Sequence, residues 1–128
     1  RVDQSIGITL SAGVGLGINP ILTYGTDEQR DHWLPDLVAG RALAGFGLTE
    51  PDAGSDAGGT RTTAKRDGDE WVLNGTKAWI TNAGIADFYV VFATTDRENK
   101  RTTAFVVEAD DEDIEGTRLW VAVPKGAR

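Results

Sequence analysis

The feature that most limits what this chain can fold into is a change of hydrophobic pattern near residue 41. Before this point, apolar residues recur at the spacing of helices; after it, short β-branched and aromatic segments alternate with turn signals. Helices followed by strands, rather than alternating with them, predict two segregated parts and an α+β fold class. The many short strands favour an antiparallel β-barrel or sandwich-like domain for the second part.

The first helix prediction covers residues 6–18, which are apolar on most sides, as expected of a buried helix. Glycines lower the helix propensity of this stretch, so close packing against a neighbouring element is the better explanation for them. They are Gly13, Gly15 and Gly17. Asn19 and Pro20 then predict a cap and a first-turn proline for a short helix that ends near Tyr24.

A further helix is predicted from a capping box, in which Thr26 and Gln29 satisfy each other's backbone N–H groups. Pro35 lies inside this helical pattern and lacks a backbone N–H, so we expect it to break or kink the helix near Leu34, with a further turn after it. Gly40 follows the last periodic residue and predicts the end of the helix.

The second part contains strand predictions that are rich in β-branched and aromatic residues. They cover residues 43–49, 60–66, 70–73, 76–81, 88–94, 102–108 and 117–123. Asp67–Gly68 and Asn74–Gly75 are the strongest short hairpin signals between these strands.

The composition excludes several functions. The chain has no cysteine, which removes disulfide scaffolds, thiolate nucleophiles and zinc–cysteine sites. Its formal net charge of −7 and its scattered basic residues argue against a nucleic-acid partner. No apolar run approaches the ~18 residues needed to span a bilayer, and no secretory signal opens the chain. We therefore expect a soluble, cytoplasmic protein without membrane association.

An acidic run of six carboxylates occupies residues 108–115. A calcium loop of the EF-hand type would need a different spacing and a central glycine, both of which are missing. We therefore expect a solvated surface loop and predict no metal site.

The first segment that could carry chemistry is the glycine-rich loop at residues 49–59. Glycines let backbone amides approach an anion, and the hydroxyls of Thr49, Ser55 and Thr60 add donors. The loop fits neither a Walker motif nor a GxGxxG motif. The pattern alone therefore favours an ordinary connection between strands and leaves a binding loop open.

The second segment is Trp79–Thr81. Residues two apart on a strand share a face, so an indole and a hydroxyl would lie side by side. Such a pair suits a planar heteroaromatic ligand, because the indole packs against the rings while the hydroxyl bonds to a heteroatom. A core tryptophan followed by a strand-end threonine is the alternative that this pattern leaves open.

Four segments resemble, in order, the signatures of the acyl-CoA dehydrogenase family. Leu48–Asp56 is similar to its glycine-rich signature, with Asp52 where a small residue is usual, and Trp71–Asn82 is similar to its G-x-K-x-W-I-T-N segment. Tyr24–Gln29 resembles its Y-G-x-x-x-Q helix start, and Lys125–Arg128 resembles its K-x-G-x-R segment. The chain is therefore identified as a member of this family.

The resemblance implies FAD as the cofactor and acyl-CoA thioesters as substrates. Residues 1–41 would be the end of an N-terminal helical domain and residues 42–128 an incomplete middle β-domain, with the C-terminal helical domain absent. The positions that match flavin contacts are Phe46, Leu48, Thr49, Gly54, Ser55, Trp79, Ile80 and Thr81. The first three match the pyrimidine edge, the next two the FAD phosphate, and the last three the isoalloxazine. Ser55 also matches a substrate contact.

The reaction that the resemblance implies is α,β-dehydrogenation, in which a carboxylate base removes the α-proton and the β-hydrogen leaves as hydride. The base lies in the family's C-terminal domain, so no catalytic residue is expected in this chain. Glu50 is a tempting substitute, which we reject because it belongs to the loop motif and precedes Pro51. Asp52 would weaken anion binding by the loop unless its side chain points away.

An electron-transferring flavoprotein would accept the electrons, and the full-length enzyme would be a homotetramer or homodimer. An acyl-CoA oxidase or a flavin monooxygenase on the same scaffold remains open, as does a non-catalytic flavin-binding module.

Overall fold

The protein, represented by a computed structural model, is described for residues 3–109 and for the strand at 119–122. Its helices are Gln4–Ser11 (α1), the π-helical stretch Ala12–Ile18, Asn19–Tyr24 (α2) and Asp27–Val38 (α3). Its strands are Ala44–Gly47 (β1), Thr63–Asp67 (β2), Glu70–Asn74 (β3), Phe88–Asp96 (β4), Arg101–Glu108 (β5) and Leu119–Ala122 (β6). The α+β class is confirmed. Most of the acidic run and the segment 125–128 lie outside the described residues.

Strand β4 organises the sheet. Strand β5 pairs with it in antiparallel fashion along its length, while β1 and β2 run parallel to it. Strands β3 and β6 extend the sheet beyond β2, both through antiparallel pairing. The sheet is therefore mixed rather than antiparallel throughout. Parallel neighbours need a long crossover, and the connection from β1 to β4, residues 48–87, supplies it.

Both faces of β4 are covered by apolar side chains. Phe88 and Val90 pack against the helices, in a cluster with Ile21, Leu37 and Ala44. On the other side, a second cluster consists of Ala64, Leu73, Val91, Ala93, Phe105 and Val107. The central strand is thus buried from two directions.

The apolar N-terminal segment is one continuous helix, because Ile18 and Asn19 both have helical backbone angles. Asn19 is therefore not a cap, and Pro20 is accommodated in the first turn of α2. The expectation of a buried helix is wrong for most of its apolar side chains, since Ile6, Ile8, Leu10, Val14 and Leu16 are 44–64% exposed. Only one line of this helix faces the sheet.

Small residues form that line. A Cβ on Gly17 would collide with the Cβ of Ala44 in β1, and a Cβ on Gly13 would contact Leu43. The predicted reason for these two glycines, close packing against a neighbour, is therefore confirmed. Gly15 has open space around it, so packing does not explain it.

By length and composition, the helix Gln4–Tyr24 could cross a membrane, which corrects the expectation that no segment reaches that length. Core helices of larger proteins pass the same test.

Helix α3 begins at the predicted capping box, in which both hydrogen bonds between Thr26 and Gln29 are present. Pro35 does not break it, and the helix continues to Val38. The N–H that proline lacks would have bonded the carbonyl of Asp31, an exposed residue whose carbonyl water can reach. Gly40 ends the helix as predicted, with a φ of 69°.

The hairpin at Asp67–Gly68 is confirmed, since Gly68 has a φ of 60° between the paired strands β2 and β3. The hairpin at Asn74–Gly75 and the strand at 76–81 are wrong. Gly75 instead passes directly over Thr62, where a Cβ would lie 2.6 Å from the threonine Cα. This long-range approach, rather than a turn, requires the glycine.

Candidate functional site

Glu50 is the best-connected side chain of the loop that follows β1. It is buried, with 5% of its surface exposed, and a tight turn with Ala53 holds its backbone. Its carboxylate accepts hydrogen bonds from the N–H of Arg61 at 2.7 Å and from the N–H and hydroxyl of Thr62 at 2.9 and 2.5 Å. Lys77 Nζ lies 2.7 Å from Glu50 Oε1 and completes an ion pair.

These contacts determine the charge of Glu50. Burial opposes ionisation and is the largest single influence, but the hydrogen bonds from Lys77, Thr62 and Arg61 together outweigh it and lower the pKa of Glu50 to about 2. A carboxylate with this pKa and four donors is a poor proton acceptor near neutral pH. The structure therefore gives a physical reason for rejecting Glu50 as the base.

Lys77 and Ala78 bring the two sequence-predicted segments together. The ammonium of Lys77 also donates to the carbonyl of Leu48 at 3.2 Å, and the N–H of Ala78 donates to the carbonyl of Thr49 at 2.8 Å. The segment that carries Trp79 is thus bonded directly to the end of β1. The lysine of the G-x-K-x-W pattern was the available sequence signal for this role.

Trp79 is 91% exposed and has a φ of 59°. A bulky residue in the left-handed region is an outlier that its surroundings must enforce, and such outliers concentrate at functional sites. The expected geometry, with Trp79 and Thr81 on one face of a strand, is wrong because residues 76–81 form no strand.

Asn82 anchors the other end of this segment, and sequence reasoning missed its role. It is buried, has a φ of 70°, and its Nδ2 donates to the carbonyl of Ala44 at 3.0 Å and to that of Thr9 at 3.4 Å. Asparagine tolerates the left-handed region better than most residues, which was the available signal. The segment between Lys77 and Asn82 is thus held at both ends.

Several hydroxyls near these segments are free to bind a ligand. Within residues 3–109, the side chains of Thr49, Ser55 and Thr81 make no hydrogen bond to the protein, whereas the hydroxyls of Thr60 and Thr62 do. Thr49 and Thr81 are half-buried and Ser55 is exposed. Thr49 and Thr81 belong to the two segments that the hydrogen bond from Ala78 to Thr49 connects.

The remaining predicted site residues occupy different environments. Phe46 is half-buried, and its ring packs against Phe92 with ring centroids 5.2 Å apart. Leu48 and Ile80 are half-buried, while Gly54 lies with Ser55 on the exposed part of the loop.

Asp52 is paired rather than directed at the loop interior. Its carboxylate lies 2.7 Å from Arg61 Nη1, and both side chains are largely exposed. The arginine offsets the negative charge that the sequence places beside the loop. The departure from the family signature at this position therefore carries its own counter-ion.

A helical part that precedes a mixed sheet and packs against it, with an exposed indole beside the end of the first strand, defines a helix-and-sheet protein of the α+β class. Residues 1–41 match the family model of the acyl-CoA dehydrogenase N-terminal domain, and residues 45–126 match that of the acyl-CoA dehydrogenase middle domain. The chain belongs to the acyl-CoA dehydrogenase family, a family of oxidoreductases. The apolar helix Gln4–Tyr24 lies within the N-terminal match.

Individual relatives agree with this assignment. Over 109 residues the chain is 50% identical to the mitochondrial short-chain specific acyl-CoA dehydrogenase of Bos taurus, covering 84% of this chain and 26% of that protein. The structure of butyryl-CoA dehydrogenase from Megasphaera elsdenii matches with a TM-score of 0.84 and 47% identity, over 86% of this chain and 30% of that one.

A glutaryl-CoA dehydrogenase from Mycobacterium smegmatis, solved in complex with FADH2, matches with a TM-score of 0.81 and 45% identity. This match covers 86% of the present chain and 28% of that one. The chain thus spans less than a third of the length of each of these relatives.

Proposed function

We propose that the protein catalyses FAD-dependent α,β-dehydrogenation of acyl-CoA thioesters, and that this chain supplies flavin- and substrate-binding parts of the enzyme. The observation that carries the proposal is the exposed Trp79, which has a left-handed backbone and directly follows Ala78, whose N–H donates to the carbonyl of Thr49. The names of the relatives supply the reaction class.

The residues present fit FAD. A planar tricyclic ring needs a flat apolar surface and a few directed donors, and Trp79 with the free hydroxyls of Thr49 and Thr81 offers both. The exposed backbone at Gly54 and the hydroxyl of Ser55 would meet phosphate groups, and Ser55 would also contact the acyl-CoA. Phe46, Leu48 and Ile80 would contribute backbone and apolar edges.

When bound, FAD supplies the acceptor for the hydride that leaves the β-carbon. The chain's own residues bind and orient: the indole covers a ring face, and the threonine hydroxyls donate to ring heteroatoms. The family resemblance would place the proton acceptor outside residues 1–128, and Glu50 is a poor substitute because its carboxylate already accepts four hydrogen bonds.

The cofactor part is tested by titrating the intact protein with FAD. Replacing Trp79 by Ala should weaken FAD binding about tenfold, since a ring contact and its buried area are lost. Thr81→Ala should weaken binding less and shift the flavin absorption spectrum. Thr76→Ala, an exposed threonine in the same segment, is the matched control and should change neither. Unchanged affinity and spectra in both site variants would refute the flavin assignment.

The reaction is tested by adding saturated acyl-CoAs to the flavin-loaded protein without oxygen. A dehydrogenase should lose its flavin absorbance with at least one chain length. Rapid reoxidation by air with hydrogen peroxide release would identify an oxidase instead, and bound flavin that no acyl-CoA bleaches would indicate a non-catalytic module.

We propose further that an electron-transferring flavoprotein accepts the electrons, that the intact protein is a homotetramer or homodimer, and that it is cytoplasmic. Light scattering of the purified protein and electron transfer to a purified flavoprotein acceptor would measure the first two properties. Cell fractionation would measure the third.

A further inference from the structure

A buried ion pair lies two residues before Trp79. The side chain of Lys77 is 11% exposed to solvent, and that of Glu50 is 4% exposed. Neither group contributes a step to the proposed reaction, so the mechanism leaves this pair unexplained. We propose that Glu50 and Lys77 are positioning residues, which fix the Trp79–Thr81 segment against Thr49 and so set the shape of the ligand surface; this rests on the proposed function.

The pair joins three stretches of chain that are distant in sequence. Lys77 donates to Glu50 and to the carbonyl of Leu48, while Glu50 accepts from Arg61 and Thr62, which directly precede β2. The next residue after Lys77 makes the backbone bond to Thr49. The lysine therefore determines where that bond forms.

Burial explains why this pair directs geometry. The exposed pair Asp52–Arg61 has the same 2.7 Å separation, but water can replace either partner at little cost in free energy. A buried charge has no such alternative, so only one arrangement of the chain satisfies both Glu50 and Lys77. Buried pairs add little net stability compared with apolar residues of similar size, and a directional role accounts for them better.

The path of the chain into the pair supports the same conclusion. Gly75 passes so close to Thr62 that no side chain fits between them, and Thr62 itself donates to Glu50. Two residues later, Lys77 reaches the same carboxylate. The close crossing and the ion pair therefore act on one short stretch, which ends at the outlier backbone of Trp79.

The test compares Lys77→Met, and the double variant Glu50→Gln with Lys77→Met, against Arg61→Met in the exposed pair. The double variant leaves no unpaired buried charge, so it keeps the test valid if the single variant does not fold. Amide hydrogen exchange is followed in the intact protein without FAD at two backbone bonds of equal length. These are Ala78 to Thr49 and, as an internal reference, Asp87 to Leu43, each 2.8 Å.

In the double variant, we expect amide exchange at Ala78 to accelerate at least tenfold relative to exchange at Asp87. In Arg61→Met, exchange at the two amides should change equally. FAD affinity should fall at least tenfold in the folded double variant. The single variant Lys77→Arg, which keeps a cation beside Glu50, should retain most of the wild-type affinity. Equal changes at both amides, or an FAD affinity equal to that of the Arg61 variant, would overturn the positioning role. Absence of FAD binding by the wild-type protein would refute the proposed function, while the amide comparison would still decide this inference.

Discussion

The helix Gln4–Tyr24 and the strand β4 are both strongly apolar, yet they differ in how they are covered. Phe88, Val90 and Ala93 of β4 are at most 3% exposed, whereas Ile6 and Leu10 of the helix are 64% and 59% exposed. The strand is enclosed by its own sheet and by the helices, while the helix contacts the sheet along its line of small residues. An apolar pattern thus predicts that a surface is suited to burial, but not which segment buries it.

The largest expected effect comes from truncating one buried leucine of the sheet, compared with the same truncation of an exposed leucine in the helix. Leu73→Ala in β3 removes a side chain that is 2% exposed and should lower the free energy of unfolding by about 3 kcal/mol. Leu10→Ala in α1 truncates a side chain that is 59% exposed and should change it by less than about 0.5 kcal/mol. Denaturant unfolding of the 128-residue chain measures both. Equal costs would show that the helix is as well covered as the sheet.

Acid should act differently on the loop that follows β1 and on the N-terminal helix. The pKa of Glu50 is about 2 in the folded protein, below the 4.5 of an unperturbed glutamate, so its charge stabilises the fold above pH 4.5, and this contribution is lost as the pH falls towards 2. We expect a loss on the order of 2 kcal/mol across this range. Glu50→Gln should flatten the dependence in unfolding curves recorded between pH 5 and 2.

In the helical region, the backbone N–H of Ser5, and then its hydroxyl, hold the pKa of the Asp3 N-cap below its usual value. Acid also removes this contribution, but Asp3 is fully exposed, so its protonation should fray only the first turn of α1. Amide exchange at Ser5 should report that fraying. If the free energy of unfolding still falls steeply with acid in Glu50→Gln, a group other than Glu50 causes the acid dependence.

A smaller effect than that of Leu73→Ala is expected where the helix meets β1. Gly17→Ala places a methyl group against Ala44 and should destabilise the chain by about 1 to 2 kcal/mol. Gly15→Ala enters open space in the same helix and should stabilise it by about 0.5 to 1 kcal/mol, because alanine favours helices over glycine. Thermal unfolding should shift in opposite directions, and a stabilising Gly17→Ala would mean that the contact with β1 is loose.

Features that depend on neighbours in sequence could be predicted. The capping box at Thr26, the helix end at Gly40 and the turn at Gly68 each satisfy backbone groups within a few residues. Pro35 misled the same reasoning, because the missing hydrogen bond falls beside an exposed residue and costs less than in a buried helix. Local rules hold where local contacts decide the conformation.

The candidate site depends on contacts across the chain, which explains what sequence reasoning missed. Gly75 is read as a turn residue because its partner, Thr62, is not adjacent to it in sequence. The left-handed Trp79 and the buried Lys77 likewise follow from bonds to Leu48, Thr49 and Glu50. The residue types at the site could be predicted from the sequence, whereas their shared anchoring could not.

The exposed indole also makes the site observable by optical spectroscopy. Trp33 and Trp71 are half-buried, while Trp79 is almost fully in water. Among the three tryptophans whose side chains the structure describes, a soluble quencher such as acrylamide should therefore act first on the emission of Trp79. Any ligand that stacks on the indole should protect it from the quencher and shift its emission to the blue. Fluorescence of the unmodified chain can thus report occupancy without a label.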